Sequence, residues 1–241
     1  MYVFPGKPLN ANVEFLLGDS PVSPSIAAYV VTDQAGEVQP STPITVDPEN
    51  TFAWVSVPGS VHQLDPGEKY RQLRLEVSYT IQNMVQETHV PYFVVPDLYL
   101  DYGPAQVTKL FGSTETDLRS EDIDFYRSYI DLANGSFSDA FLNALNGSDP
   151  QLQLAAKQLI FWYTVQLVMP AARLNMLKSV ESETSKMQRM GTASNFDSIE
   201  NMIKARYDYY LAMITTSTSD VGPTLLVLDS PTDAITGEGA G

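Results

Sequence analysis

Paired carboxylates are the first residues in this chain whose type and spacing could do chemistry. Asp122 and Asp124, and likewise Glu181 and Glu183, lie two positions apart in segments with helical periodicity. Residues two apart on a helix point to different faces, so neither pair converges on one substrate atom as acid–base catalysis requires. Solvated helix charges explain both pairs. The sequence therefore predicts a protein that is not an enzyme.

Histidine and tryptophan are the other candidates for a reactive or binding group. His62 and His89 are the only histidines, there is no cysteine, and neither histidine lies near a second metal ligand at a recognisable spacing. We therefore expect no metal and no other cofactor. Trp54 could stack on a sugar ring, but its position between Phe52 and Val57 on an apolar strand favours the interior of the fold.

The charge of the chain limits its partners. There are 14 basic and 29 acidic residues, which gives a formal net charge of −15. The sequence contains no glycine-rich phosphate loop and no basic island, so a protein that grips phosphate groups is disfavoured. An acidic surface can still line a passage through which nucleic acid slides without sticking.

A change of pattern near residues 96–104 shows how the elements that position these residues are organised. Before it, as in 71–82, apolar and polar residues alternate; after it, as in 120–134, apolar residues recur at helical spacing. Two periods indicate two separately built modules. We predict an α+β chain with an N-terminal all-β sandwich at residues 1–98, an all-α helical domain at 99–214 and an extended C-terminal tail at 215–241.

The first module has the strand and turn signals of a small antiparallel sandwich. Its strand candidates are residues 11–17, 27–32, 43–46, 52–57, 71–82 and 87–94. Aspartate and glycine at 33–36 and 65–67 provide turns between them. With residues 29–36 as a strand entering a hairpin, the module resembles the immunoglobulin-like sandwiches of virion and cell-surface proteins, although it lacks their cysteine pair. That resemblance implies binding of proteins or sugars through loops or edges.

The second module carries consistent helix signals. Its predicted helices are residues 104–111, 120–134, 138–146, 150–190 with a bend near Pro170, and 196–214. The segment 152–169 is apolar nearly all round, so it must be surrounded by its own neighbours or by copies from other subunits. Its strongest apolar run, residues 159–169, is interrupted by Gln166 and falls short of the roughly 20 apolar residues that span a bilayer, so we expect no membrane anchor.

Three segments are predicted to contact other chains. These are the polar arm at 173–190, the tyrosine-rich last helix, and the apolar stretch 224–229, which we expect to add a strand to a neighbouring chain. For the tyrosines ordinary core packing is an equal alternative, and for 224–229 the alternative is folding back on its own helical module. The predicted interface residues are Arg173, Leu177, Val180, Met187, Tyr207, Tyr209, Tyr210, Leu225, Leu226, Val227 and Leu228.

The order of elements in the helical module resembles the bacteriophage head-to-tail connector, or adaptor, proteins that dock beneath the portal. The resemblance is carried by a short opening helix at 101–112, an acidic-capped helix at 120–126 and the apolar helix through 159–163. It implies a structural virion protein that forms a homo-oligomeric ring, of twelve copies, between the portal and the tail or neck proteins. DNA would pass through the ring without sequence-specific binding. The added sandwich and the long arm depart from the compact members of that family.

Two other functions remain open at this point. The chain could be a sandwich-type binding module on a helical stalk that recognises a cell-surface glycan or protein, which exposed aromatics around Trp54 and the turns at 59–68 would support. An enzyme with its site between the modules would need convergent polar groups near 99–102. The first residues lack the basic start and apolar run of a secretory signal, so we do not expect export by that route. The resemblance to connector proteins implies assembly in the host cytoplasm and location in the virion neck.

Overall fold

The structure is a computed structural model that describes residues 1–111, 118–182 and 192–216, and in it all strands precede the α-helices of an α+β chain. The strands are β1 (Tyr2–Val3), β2 (Leu9–Glu14), β3 (Leu16–Leu17), β4 (Ser20–Pro21), β5 (Ile26–Thr32), β6 (Glu37–Ile44), β7 (Phe52–Val57), β8 (Arg71–Ile81) and β9 (Met84–Val94). The helices are α1 (Pro104–Leu110), α2 (Phe125–Ala133), α3 (Ser138–Asn146), α4 (Pro150–Ser182) and α5 (Thr192–Thr216). Two 3₁₀ turns lie at Gly59–Val61 and Ser120–Asp122.

Two sheets share the apolar core of the first module. The larger has the strand order β1-β9-β8-β5-β6, with β1 parallel to β9 and the other pairs antiparallel. The smaller is the antiparallel pair β2–β7. Strict alternation turns Leu75 and Val77 of β8 toward Val13 and Val55 of the smaller sheet, and all four side chains are buried in one cluster. Period-two patterning therefore builds this core, as expected of half-buried strands.

Turn chemistry joins the strands where the sequence indicates it. The Asp33 carboxylate accepts hydrogen bonds from the backbone N–H groups of Ala35 and Gly36, at 2.7 and 3.1 Å. Gln82 and Asn83 join β8 to β9 with φ angles of 50° and 65°. Positive φ at both central residues is the geometry of a two-residue hairpin turn that matches the twist of the strands.

Several element boundaries differ from the sequence expectation for identifiable reasons. β6 begins at Glu37, well before the expected start at residue 43, because it is an edge strand that tolerates Pro40. The expected helix at 120–134 is divided into a 3₁₀ turn and α2. Asp124 separates the two by capping α2, since its Oδ1 accepts a hydrogen bond from the backbone N–H of Arg127 at 2.9 Å.

Helix α4 is the centre of the second module and packs against α2, α3 and α5. Leu159, Ile160 and Val165 are buried in a cluster that runs from residue 95 to residue 214. Thr164 is also buried, and its hydroxyl donates to the Ser128 hydroxyl at 2.7 Å, so this polar pair is satisfied inside the core. The helix continues through Pro170, which lies on an exposed side.

An aromatic contact region joins the two modules, and we call it the junction cluster. Its members are Tyr2, Phe4, Tyr70, Phe93 and Tyr126, with ring centroids 5.4 to 6.1 Å apart. The Tyr2 hydroxyl donates to the Asp124 carboxylate at 2.6 Å. Burial, reinforced by that carboxylate, raises the pKa of Tyr2, so the hydroxyl remains a donor at all ordinary pH values.

Hydrogen bonds donated by side chains complete this junction. The Lys69 ammonium donates to the Ala133 carbonyl at 2.8 Å, and the Tyr129 hydroxyl donates to the Lys69 carbonyl at 2.8 Å. The side-chain amide nitrogen of Asn134, Nδ2, donates to the Tyr70 hydroxyl at 2.7 Å. The residues just before β8 are thereby bonded to the end of α2.

The Tyr2 hydroxyl is expected to stabilise the fold through the junction. Replacing it in Tyr2→Phe removes a hydrogen bond to a carboxylate, and we expect the free energy of unfolding to fall by about 1.5 kcal/mol in urea denaturation at neutral pH. The matched control is Tyr99→Phe, because the Tyr99 side chain is 75% exposed. Equal stabilities of the two variants would contradict a stabilising junction.

Candidate binding surfaces

Trp54 lies on the outside of the sandwich, so the expectation that it is a core residue is wrong. Along β7 the buried side chains are Ala53, Val55 and Val57, and the alternate positions face solvent. Trp54 is 69% exposed and Phe52 is 42% exposed. Because a strand alternates its side chains, an inward Val55 requires an outward Trp54.

The partner strand β2 adds polar side chains to the same surface. The register pairs Asn12 with Trp54, Glu14 with Phe52, and Asn10 with Ser56. Directly opposed residues in such a pair have Cβ atoms about 4.5–5.5 Å apart, so each aromatic ring has a polar neighbour beside it. We call this surface the β2–β7 outer face, and its residues are Asn10, Asn12, Glu14, Phe52, Trp54 and Ser56.

A second exposed surface lies on the later half of α4. Leu167 is 48% exposed and Leu174 is 59% exposed, with exposed Pro170 and Ala171 between them. Their spacing of three, four and seven residues places them on one side of the helix. We call this set the α4 stripe. Leu154 is also exposed, but it lies more than three turns earlier and on a different side.

The structure locates the predicted interface residues in three settings. Arg173 is exposed beside the α4 stripe. Tyr207 and Tyr210 are half-buried against the core of their own module, and the Tyr207 ring lies 6.0 Å from that of Tyr163, while Tyr209 packs edge-on to Tyr210. The remaining positions are less informative. Leu177 and Val180 lie within α4, whereas Met187, Leu225, Leu226, Val227 and Leu228 lie outside the described residues.

Both histidines have positions that a fold alone explains. His62 is fully buried, with Nδ1 2.6 Å from the Lys7 carbonyl and Nε2 3.1 Å from the Tyr92 hydroxyl. A carbonyl only accepts, so Nδ1 carries the proton and Nε2 accepts from the tyrosine. Burial lowers the pKa of His62, which keeps the ring neutral. His89 lies on the solvent side of β9 opposite Glu76.

The carboxylates of the Asp122 and Asp124 pair are engaged in separate contacts. Asp124 caps α2 and binds Tyr2, while Asp122 pairs with Arg119 at 3.5 Å on the surface. Glu181 lies in α4, and Glu183 lies outside the described residues. Within residues 1–111, 118–182 and 192–216 no three acidic or histidine side chains come together as a metal-binding group.

The segment between the modules uses its polar groups to hold the fold. Tyr102 is largely buried, its ring packs edge-on against Phe125 and Phe161, and its hydroxyl donates to the Lys157 carbonyl. The Tyr99 carbonyl accepts a hydrogen bond from the Lys157 ammonium at 2.9 Å. These groups are committed to each other, so they do not converge on a substrate.

A polar cleft of about 360 Å³ lies at one end of the larger sheet. Its lining residues include Thr32, Asp33, Arg74 and Glu76. The Glu76 carboxylate accepts from the Thr32 hydroxyl at 3.0 Å and lies 3.6 Å from the Arg74 guanidinium. Glu76 pairs with Arg74, and Asp33 accepts hydrogen bonds from the backbone of its own turn, so the three charged groups of the cleft are bonded within the protein.

Comparisons with protein-family models, with curated proteins and with solved structures gave no match to this chain. None of the helices in the described parts of the chain has the length and hydrophobicity needed to cross a bilayer. The features that bear on function are therefore the two exposed surfaces, the β2–β7 outer face and the α4 stripe. The sequence analysis did not predict that either surface is exposed. The β2–β7 outer face could have been predicted, because the small apolar residues Ala53, Val55 and Val57 alternate with Trp54 along β7 and would occupy its inward side.

His62 is expected to make stability depend on pH. Its folded-state pKa is lowered below the ordinary value of 6.5, so the unfolded chain takes up a proton first as the pH falls. We expect the contribution of neutral His62 to be complete above about pH 6.5 and to be lost progressively below it. The free energy of unfolding, measured by urea denaturation, should fall as the pH is lowered from 7.5 to 5. We expect this fall to be smaller in His62→Asn and to remain in the surface control His89→Asn. An equal fall in all three proteins would contradict this assignment.

Proposed function

We propose that this chain is a non-catalytic structural protein of a virion, a head-to-tail connector subunit that forms a ring with copies of itself. The observation that carries the proposal is the α4 stripe, an exposed apolar surface on the later half of the central helix. The order of helices, which resembles that of connector proteins, supports the same assignment.

The α4 stripe has the composition of a subunit contact. Leu167 and Leu174 each gain about 1.5–3 kcal/mol when moved from full exposure to full burial, and part of that gain remains available here because both are half-exposed. Arg173 beside them provides the polar rim that commonly surrounds an apolar contact. A neighbouring copy that covered the stripe would recover this free energy.

The partners proposed for the ring follow from the family that the helical module resembles. They are the portal on one side and tail or neck proteins on the other, with twelve copies in the ring. The net charge of −15 suits a channel through which DNA passes without adhering. On this proposal the protein is assembled in the host cytoplasm and resides in the neck of the virion.

We further propose that the first module is an immunoglobulin-like sandwich. Its support is the strand order: β2 and β7 pair in one sheet, while β5, β8 and β9 are neighbours in the other. In such sandwiches the second and fifth strands pair in one layer and the third, sixth and seventh in the other. β6 then corresponds to the additional edge strand of variable-type domains.

A second candidate function is favoured by the β2–β7 outer face. Two exposed aromatic rings on a regular strand, Trp54 and Phe52, are what a binding module for a cell-surface glycan or protein requires. The two functions are compatible, because the α4 stripe and this face lie on different modules. A connector with an outward sandwich would combine them.

The ring proposal is tested by disrupting the α4 stripe. We expect native mass spectrometry of the wild-type protein with its portal to show an assembly whose content of this chain is twelve times 26.6 kDa. Leu167→Glu combined with Leu174→Glu places two charges in the contact and should release monomers. Leu154→Glu, an exposed leucine elsewhere on α4, is the control and should still assemble. A wild-type protein that stays monomeric with the portal present would refute the proposal.

A further inference from the structure

The β2–β7 outer face combines features that suit one kind of ligand. Its central group is the Trp54 ring, which remains 69% exposed although tryptophan is among the side chains that gain most from burial. The Asn12 amide lies directly across from this ring, and Ser56 follows Trp54 on the same side of β7. An open aromatic surface is thus bordered by groups that donate and accept hydrogen bonds.

Sugar rings have the complementary chemistry. A pyranose presents C–H groups on its faces, which pack on an indole ring, and hydroxyl groups around its edge, which bond to amides and carboxylates. The cross-strand distance of about 5 Å between Trp54 and Asn12 matches the width of one such ring. One sugar can therefore stack on Trp54 and reach Asn12 at the same time.

The charge of the face selects among sugars. Glu14 is its only ionisable residue, and the chain as a whole has a net charge of −15. Sialylated, sulfated or phosphorylated glycans are negatively charged. They would be repelled by Glu14, and none of the six residues of the face carries a positive charge to offset that repulsion. A neutral sugar avoids this repulsion, and its hydroxyl groups can donate to the Glu14 carboxylate.

Phe52 gives the face room for more than one sugar. It lies two residues before Trp54 on the same strand and on the same side, so the two side chains begin about 6.5 Å apart. Glu14 is directly across from Phe52, just as Asn12 is from Trp54. The pattern of one aromatic and one polar residue is repeated, as a ligand with repeating units would require.

A protein partner fits the same face less well. Protein interfaces have a dry apolar core, and a typical one covers about 800 Å² on each side. On this face each aromatic residue has a polar residue opposite it, so docking a protein over Trp54 and Phe52 would also desolvate Asn12 and Glu14. The hydroxyl groups of a sugar would satisfy those groups.

We propose that the β2–β7 outer face binds a neutral oligosaccharide, with one ring stacked on Trp54 and bonded to Asn12 and the next ring beside Phe52 and Glu14. This inference rests on the second candidate function and names its ligand class. It is independent of whether the α4 stripe forms a ring.

The test uses the full chain and four neutral hexasaccharides that differ in their sugar or their linkage, namely fully N-acetylated chitohexaose, cellohexaose, maltohexaose and mannohexaose, with hexagalacturonate as an acidic counterpart. We expect saturation-transfer NMR and calorimetry to show binding of at least one neutral hexasaccharide at millimolar concentration, weaker binding of its disaccharide and none of hexagalacturonate. Trp54→Ala should weaken that binding at least about tenfold, whereas Trp54→Phe retains part of it. Asn12→Ala should weaken it severalfold.

Tyr99→Ala is the matched control, since it removes another highly exposed aromatic side chain away from the face and should leave binding unchanged. Absence of binding to all four neutral probes, or equal losses in Trp54→Ala and Tyr99→Ala, would overturn the proposal. Tighter binding of hexagalacturonate would overturn the argument from charge. If no sugar binds but Trp54→Ala changes the mass of the assembly, the face is a protein contact instead. The ring proposal is read separately from the α4 stripe variants.

Discussion

A strand of only two residues, β1, packs into both cores of the chain. β1 pairs in parallel with β9, and the backbone N–H groups of Phe93 and Val95 donate to the carbonyls of Met1 and Val3 at 3.0 Å. Alternation along this strand buries Val3 in the sandwich core and turns Tyr2 and its neighbour Phe4 to the helical core. One short segment is therefore packed into both modules, and its Tyr2 hydroxyl bonds to Asp124, the residue that caps α2.

This arrangement decides which surfaces stay open. The helical module contacts the larger sheet at Tyr2 and Phe93, whose side chains point away from Val3, Tyr92 and Val94 inside the sandwich. The β2–β7 outer face belongs to the opposite layer, so the helices do not cover it. The α4 stripe lies on the other module. The chain thus has room for both the proposed assembly surface and the proposed binding surface, without competition between them.

Sequence periodicity locates several elements closely, whereas it starts β9 three residues late, at 87 instead of Met84, and α5 four residues late, at 196 instead of Thr192. β7, β8 and α3 match their expected bounds to within a residue, because each keeps one hydrophobic period along its length. The period is two residues in the strands and about 3.6 residues in the helix. β1 has no period to detect, since it consists of two residues. Trp54 is exposed because Ala53, Val55 and Val57 occupy the inward positions of β7, and this alternation outweighs the usual preference of tryptophan for burial. The position of the α4 stripe cannot be predicted from the sequence. A helix that is apolar nearly all round has no polar side to show which of its residues the neighbouring helices leave exposed.

In the proposed ring, closure allows a small contact such as the α4 stripe to be enough for stable assembly. In a ring each subunit uses two different patches, one that contacts the preceding copy and one that contacts the following copy. The α4 stripe then needs a complementary patch elsewhere on the same chain. α5 packs along α4 and holds Tyr207 and Tyr210 only half-buried, which leaves part of each aromatic ring for such a contact. Because a closed ring holds every copy at two contacts, dissociation of one subunit requires both to break together, so each contact can be modest.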